Sequence, residues 1–102
     1  MIKLENWTRQ QWKDAQIENE KAVFYLYTPF CGTCQVASKM LSIVEQMKPD
    51  LPMGKADLNY LENVAVDYEI ESVPCLLITE NGQLIEKIYA FQSVPYLLEK
   101  IG

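Results

Sequence analysis

Histidine is absent from this chain of 102 residues, and cysteine occurs only three times. Zinc closes on a tetrahedral set of Cys and His ligands, so the chain falls one ligand short of a structural zinc site. It is short by the same count for an iron–sulfur cluster held within one chain. A protein with neither metal nor cofactor is therefore expected. An odd cysteine count is also unlike the paired frameworks that staple small secreted domains. Long apolar runs are missing too. Nothing approaches the roughly 18 residues of a membrane span, and Lys3, Glu5, Arg9, Lys13, Asp14 and Glu18 break up any secretory leader. Basic residues are outnumbered, nine against fourteen acidic, for a net charge of −5. That balance argues against nucleic acid or an anionic membrane as a partner. Together these absences point to the cytoplasm.

What the chain does have is apolar content, 49%, enough to bury the core of one domain. Residues 1–102 carry no repeat, low-complexity tract or linker, and one domain is expected. Ile2 to Leu4 is a candidate edge strand. Thr8 and Gln11 are spaced as a capping box and Trp7 and Trp12 as a hydrophobic staple, which predicts a helix running to Glu18. Ala22 to Tyr27 is apolar or aromatic at every position, the pattern of a strand covered on both faces, and Thr28-Pro29 ends it. Beyond Cys34, Ala37, Met40, Leu41, Val44 and Met47 recur at helical spacing, with Ser38, Lys39, Ser42, Glu45 and Gln46 on the other face. That helix must stop near Lys48-Pro49.

Met53 to Asp57 is a weakly marked strand, and Leu61, Val64, Ala65 and Tyr68 mark a short helix. Asn81-Gly82 joins Cys75–Thr79 to Gln83–Ala90 as a hairpin. Ser93 caps a last helix whose apolar stripe is Val94, Leu97, Leu98 and Ile101. The order β-α-β-α-β-α-β-β-α implies an α/β fold with a mixed central sheet and helices on both faces.

A close cysteine pair in a reducing compartment is either metal-binding or redox-active, and the shortage of ligands favours redox work. Cys31-Gly32-Thr33-Cys34 falls between the end of the buried strand and the start of the amphipathic helix. Unpaired N–H groups of a first helical turn stabilise an anion there. A thiolate at Cys31 is thereby favoured below its ordinary pKa of about 8.5, and the thiolate is the nucleophile in disulfide exchange. The spacing keeps both residues within the Cα separation of about 4.4–6.8 Å that a disulfide needs. Cys34, one turn further in, is expected to be the more buried and to act as the resolving thiol. Gly32 leaves room for a partner chain. Cys75, the third cysteine, has two readings, core filler or regulatory thiol. Phe30, Pro29 and Tyr27 are candidates for an apolar rim, Tyr27 being equally suited to the core.

Over essentially its whole length the sequence resembles the thioredoxin family. Cys31-Gly32-Thr33-Cys34 stands in the place of that family's Cys-Gly-Pro-Cys, Val73-Pro74 at its cis-proline, Asn81-Gly82 at the hairpin turn, and Lys55 at the buried lysine of the third strand. The resemblance implies a thioredoxin fold and a cis bond before Pro74, with Pro74 packed against the cysteine pair. It also implies that the Val73 backbone is offered to an extended substrate strand. Disulfide-containing protein substrates, a thioredoxin reductase as recycling partner and a monomeric protein-disulfide reductase follow as expectations.

The chain departs from the family pattern at several positions. The buried aspartate falls on Tyr25, the tryptophan before the nucleophile on Phe30, the helix-kinking proline on Lys39, and a late glycine on Ala90. A tyrosine with a pKa near about 10 is a poor base at neutral pH. Its hydroxyl is left to pair with Lys55 or a buried water, or Tyr25 is simply a core aromatic. These departures keep a second function open, an adaptor or redox-sensing binding module with little turnover.

Overall fold

The structure is a computed structural model that describes residues 4–102. Along the chain run β1 (Glu5–Asn6), α1 (Arg9–Glu18), β2 (Lys21–Tyr27), α2 (Gly32–Met47), β3 (Met53–Asp57), α3 (Glu62–Asp67), β4 (Cys75–Glu80), β5 (Gln83–Ile88) and α4 (Val94–Ile101). A 3-10 turn, Leu58–Tyr60, links β3 to α3. The strands form one mixed sheet in the order β1-β3-β2-β4-β5, with β1, β3 and β2 parallel and β4 and β5 antiparallel.

The central position of β2 explains its apolar run from Ala22 to Tyr27. Val23 and Tyr25 point into one core layer, with Ala37, Leu41 and Val44 of α2 and Leu97 and Ile101 of α4. Ala22, Phe24 and Leu26 point into the other, with Trp12 and Ala15 of α1 and Val64 of α3. Successive strand residues alternate between faces, so only a strand covered on both sides can be apolar at every position.

The predicted start of α1 is present in full. Thr8 Oγ1 accepts the Gln11 N–H at 3.1 Å, and the Gln11 side chain accepts the Thr8 N–H at 2.8 Å. The staple residues Trp7 and Trp12 lie with ring centroids 6.3 Å apart. Trp7 also covers Gly54 of β3, where a Cβ would run into the indole.

Several boundaries differ from expectation. Ile2 and Lys3 lie outside the described residues, and the edge strand is Glu5–Asn6, a polar pair held by backbone pairing to Gly54 and Lys55. Strand β5 ends at Ile88, leaving Tyr89 and Ala90 in the turn towards α4. In α2, Met47 is 59% exposed and Ser38 is half-buried, so the buried stripe is narrower and rotated towards Ser38. Met47 is the last residue of α2.

Candidate functional site

The site lies where β2 hands over to α2. Extended backbone at Cys31 (φ −102°, ψ 108°) makes it the N-cap of α2, and its Sγ accepts the Cys34 N–H at 3.2 Å. A sulfur in this position takes the place of the oxygen of an ordinary capping side chain and faces the positive end of the helix. Cys31 and Cys34 are joined as a disulfide, with their Cα atoms 5.2 Å apart. The two cysteines differ sharply in access. Cys31 is partly exposed, whereas Cys34 is 3% exposed.

Two further groups lie near Cys31 Sγ. The Thr33 hydroxyl lies 3.3 Å from its Sγ, and the Val73 carbonyl oxygen lies 3.9 Å away. Val73 is joined to Pro74 by a cis peptide bond. Gly32 is exposed, and a side chain there would meet nothing, so the approach to Cys31 from that side is open. Beside the pair runs a mainly apolar groove of about 440 Å³, whose walls include Val36, Met40, Val73, Pro74, Ala90 and Phe91. Phe30, immediately before Cys31, is 99% exposed and forms an apolar prominence next to the pair.

Beneath the pair, Tyr25 is fully buried in the middle of β2. Its hydroxyl donates to the Cys34 carbonyl at 2.7 Å and accepts from the Ser38 hydroxyl at 3.0 Å. The pairing with Lys55, one of the readings open to this hydroxyl, is not formed. Lys55 is the cross-strand neighbour of Tyr25 on β3, but it is only half-buried, and its ammonium sits 5.7 Å above the Tyr27 ring. Parallel pairing sets the two backbones side by side, while the lysine side chain reaches towards the Tyr27 ring. Burial pushes the Tyr25 phenol up from its ordinary value, opposed by the Ser38 hydrogen bond and reinforced by Tyr27. Tyr25 is therefore a neutral hydrogen-bonding group throughout the physiological range.

By residue type Ser38 belongs to the polar face of α2, and the sequence does not mark it as a partner of Tyr25. It stands four residues after Cys34, one helical turn on, and therefore reaches the same buried hydroxyl. Tyr27 is also pushed up, first by burial and then by Asp57, and stacks on Tyr25 with centroids 5.7 Å apart. It thus belongs more to the packing than to a substrate rim.

Cys75 follows Pro74 in sequence but faces away from the pair. It is buried in the layer of Trp12, Phe24 and Leu26, whereas Tyr25, which holds the Cys34 carbonyl, is in the opposite layer. Burial pushes its thiol up to about 12, with Lys87 opposing. It is a free thiol. Among the described residues no three His, Cys, Asp or Glu side chains gather as metal ligands, and no helix is long and apolar enough to cross a membrane.

Comparison with known proteins bears on this arrangement. Residues 3–101 match the Thioredoxin family. The thioredoxin-like protein YusE of Bacillus subtilis (strain 168) is 52% identical over 85 residues, covering 83% of this chain and 80% of that protein. The crystal structure of oxidised mitochondrial thioredoxin 3 from Saccharomyces cerevisiae superposes with a TM-score of 0.82 at 28% identity, covering 95% of this chain and 91% of that one. A mutant thioredoxin from Halobacterium salinarum NRC-1 gives a TM-score of 0.85 over 96% of this chain and 86% of its own, at 21% identity, a likeness of fold.

Proposed function

Because the chain belongs to the thioredoxin family, we propose that it reduces protein disulfides, with Cys31 as the attacking thiol and Cys34 as the resolving one. Family membership and the bonded Cys31–Cys34 pair make it a thiol–disulfide oxidoreductase. The division of labour rests on one observation, the difference in access between a partly exposed Cys31 and a Cys34 that is 3% exposed.

In the first step the Cys31 thiolate attacks one sulfur of a substrate disulfide. A mixed disulfide forms, the substrate bond breaks, and the first substrate sulfur leaves as a thiolate that solvent protonates. Cys34 then loses its proton and its sulfur attacks Cys31 Sγ. The Cys31–substrate bond breaks, the Cys31–Cys34 disulfide forms, and the second substrate thiolate departs. The substrate has gained the two electrons that the chain has lost, so each turnover needs an external reductant. A thioredoxin reductase fits that need by family.

The substrate is bound as an extended segment by the Val73 backbone and Pro74, with Phe30 as an apolar contact. Support comes from the open face at Gly32, the exposed Phe30 and the groove wall formed by Val73 and Pro74. A reducing, cytoplasmic setting and a monomer complete the reading. The odd cysteine count and the unpaired Cys75 support the former.

The test combines labelling and trapping. Alkylation of the reduced protein near neutral pH should modify Cys31 well before Cys34, and Cys34→Ser should hold substrates as stable mixed disulfides while Cys31→Ser holds none. Insulin-disulfide reduction by the wild type should be catalytic when reductant is supplied. Earlier labelling of Cys34 would reverse the roles, and stoichiometric capture without turnover would favour the adaptor.

A further inference from the structure

Residues 68–74 carry the chain from the end of α3 to the start of β4, and they finish on the Val73-Pro74 step whose carbonyl faces Cys31. Backbone groups tie their first part to α3. Tyr68 N–H donates to the Val64 carbonyl at 3.0 Å, and Ile70 N–H to the Ala65 carbonyl at 2.9 Å. Between them Glu69 takes a left-handed conformation (φ 50°), uncommon for a residue with a side chain. Two side chains, one on β5 and one just after it, hold the same stretch. Lys87 Nζ donates to the Tyr68 and Glu69 carbonyls at 3.0 and 3.2 Å, and the Tyr89 hydroxyl accepts the Glu71 N–H at 3.1 Å. Standing two residues apart, they leave the chain on one face, the face of Leu77, which is the cross-strand neighbour of Lys87. We propose that Lys87 and Tyr89 are positioning residues that clamp residues 68–71, so that the Val73 backbone is presented ready-placed to a protein substrate. This deepens the reading of Val73 and Pro74 as substrate-binding and rests on it.

Each half of the clamp suits its place. The carbonyls at a helix C-terminus lack partners within the helix and carry partial negative charge, and the Lys87 ammonium sits on two carbonyls where α3 ends. Glu71 is exposed, so water could serve its N–H, and what Tyr89 adds is location. Location matters to one kind of substrate. An extended protein segment pairs with a backbone, and a backbone free to wander must be ordered at the moment of binding, which weakens the encounter. A small disulfide lays no strand along Val73 and meets only the sulfur. Neither clamp residue is hydrogen-bonded to Cys31 or Cys34, so both act through the segment they hold.

Lys87→Met keeps the stem and removes both bonds to the carbonyls, while Tyr89→Phe keeps the ring and removes the acceptor of the Glu71 N–H. Pre-reduced protein is mixed with insulin or with bis(2-hydroxyethyl) disulfide, and the second-order rate of Cys31–Cys34 disulfide formation is measured with each. The quantity compared is the ratio of the two rates, which lost stability alone does not move while the protein stays folded. In each variant the ratio of the insulin rate to the small-disulfide rate should fall by about threefold to tenfold. A wild-type ratio in either variant would overturn the proposal, whether both rates hold or both fall together. If the wild type clearly prefers insulin, that result sinks the clamp alone. A wild type that reduces insulin no faster than the small disulfide would sink the parent reading, and the clamp with it.

Discussion

Replacing Tyr25 with Phe removes one oxygen from a fully buried site and keeps the ring, whose centroid is 5.7 Å from Tyr27 and 5.8 Å from Phe91. The Cys34 carbonyl loses a donor at 2.7 Å, and the Ser38 hydroxyl loses its acceptor at 3.0 Å. Leaving a buried polar group without its partner costs about 1–3 kcal/mol. Tyr25→Phe should therefore lower unfolding stability by about 2 kcal/mol in a denaturant titration. The kinetic expectation is different in kind. Burial holds the phenol in its neutral form, so it cannot collect the Cys34 proton as a base. The decay of the Cys31–substrate mixed disulfide, followed by rapid quench between about pH 6 and 9, should keep the shape of its pH profile in Tyr25→Phe. Tyr25→Asp introduces a carboxylate below Cys34 and should add a pH-dependent arm. It also discards the ring packing, at a cost of about 3–5 kcal/mol. If Tyr25→Phe instead erased a titrating arm present in the wild type, the hydroxyl would be a proton carrier, and its assignment as a structural donor would be wrong.

Two further predictions concern the fold that holds the site. Cys75, raised to about 12 in the folded protein against an ordinary 9.0, stays protonated where the unfolded chain has lost its proton. Its contribution is complete below about pH 9 and is lost as pH rises towards 12, so wild type minus Cys75→Ala should fall by about 2 kcal/mol between neutrality and about pH 10.5. A flat difference would show that the thiol is more accessible to solvent than its burial implies. Gly54→Ala drives a methyl into the Trp7 indole and should destabilise by about 1–3 kcal/mol, with Trp7 fluorescence shifted towards that of exposed indole. Unchanged stability and emission would mean that the indole swings clear at no cost.

The parts of the fold that were legible are those in which one local pattern dictates one environment. The apolar run Ala22 to Tyr27 of β2 requires two covered faces, and the Thr8/Gln11 box and Asn81-Gly82 turn act over a few residues, so each appears where its sequence places it. Strand β1 carries no such pattern. Glu5 and Asn6 are both exposed and pair with β3 through backbone groups, to which side-chain periodicity is blind. In β3, Gly54 looks like a strand breaker until Trp7 is seen lying on it. At the site, the Cys31–Cys34 pair was readable because chemistry and spacing coincide within one turn. The partners of Tyr25 were not. They depend on how α2 crosses β2, and nothing in the sequence near Tyr25 marks Cys34 and Ser38 as its neighbours.

The sheet that separates Cys75 from the reactive pair also gives the molecule two independent chemical clocks. Cys31 reports on electron transfer, because its sulfur meets solvent in the native state. Cys75, with none of its surface accessible, meets an alkylating reagent only when the strands around it part. With the pair locked as a disulfide, the rate at which Cys75 is modified measures how often the native structure opens, in the way amide exchange does for backbone hydrogens. A change that alters only the redox chemistry should leave this clock running at its old rate. Loosening the central sheet should speed it, whatever becomes of the exchange reaction.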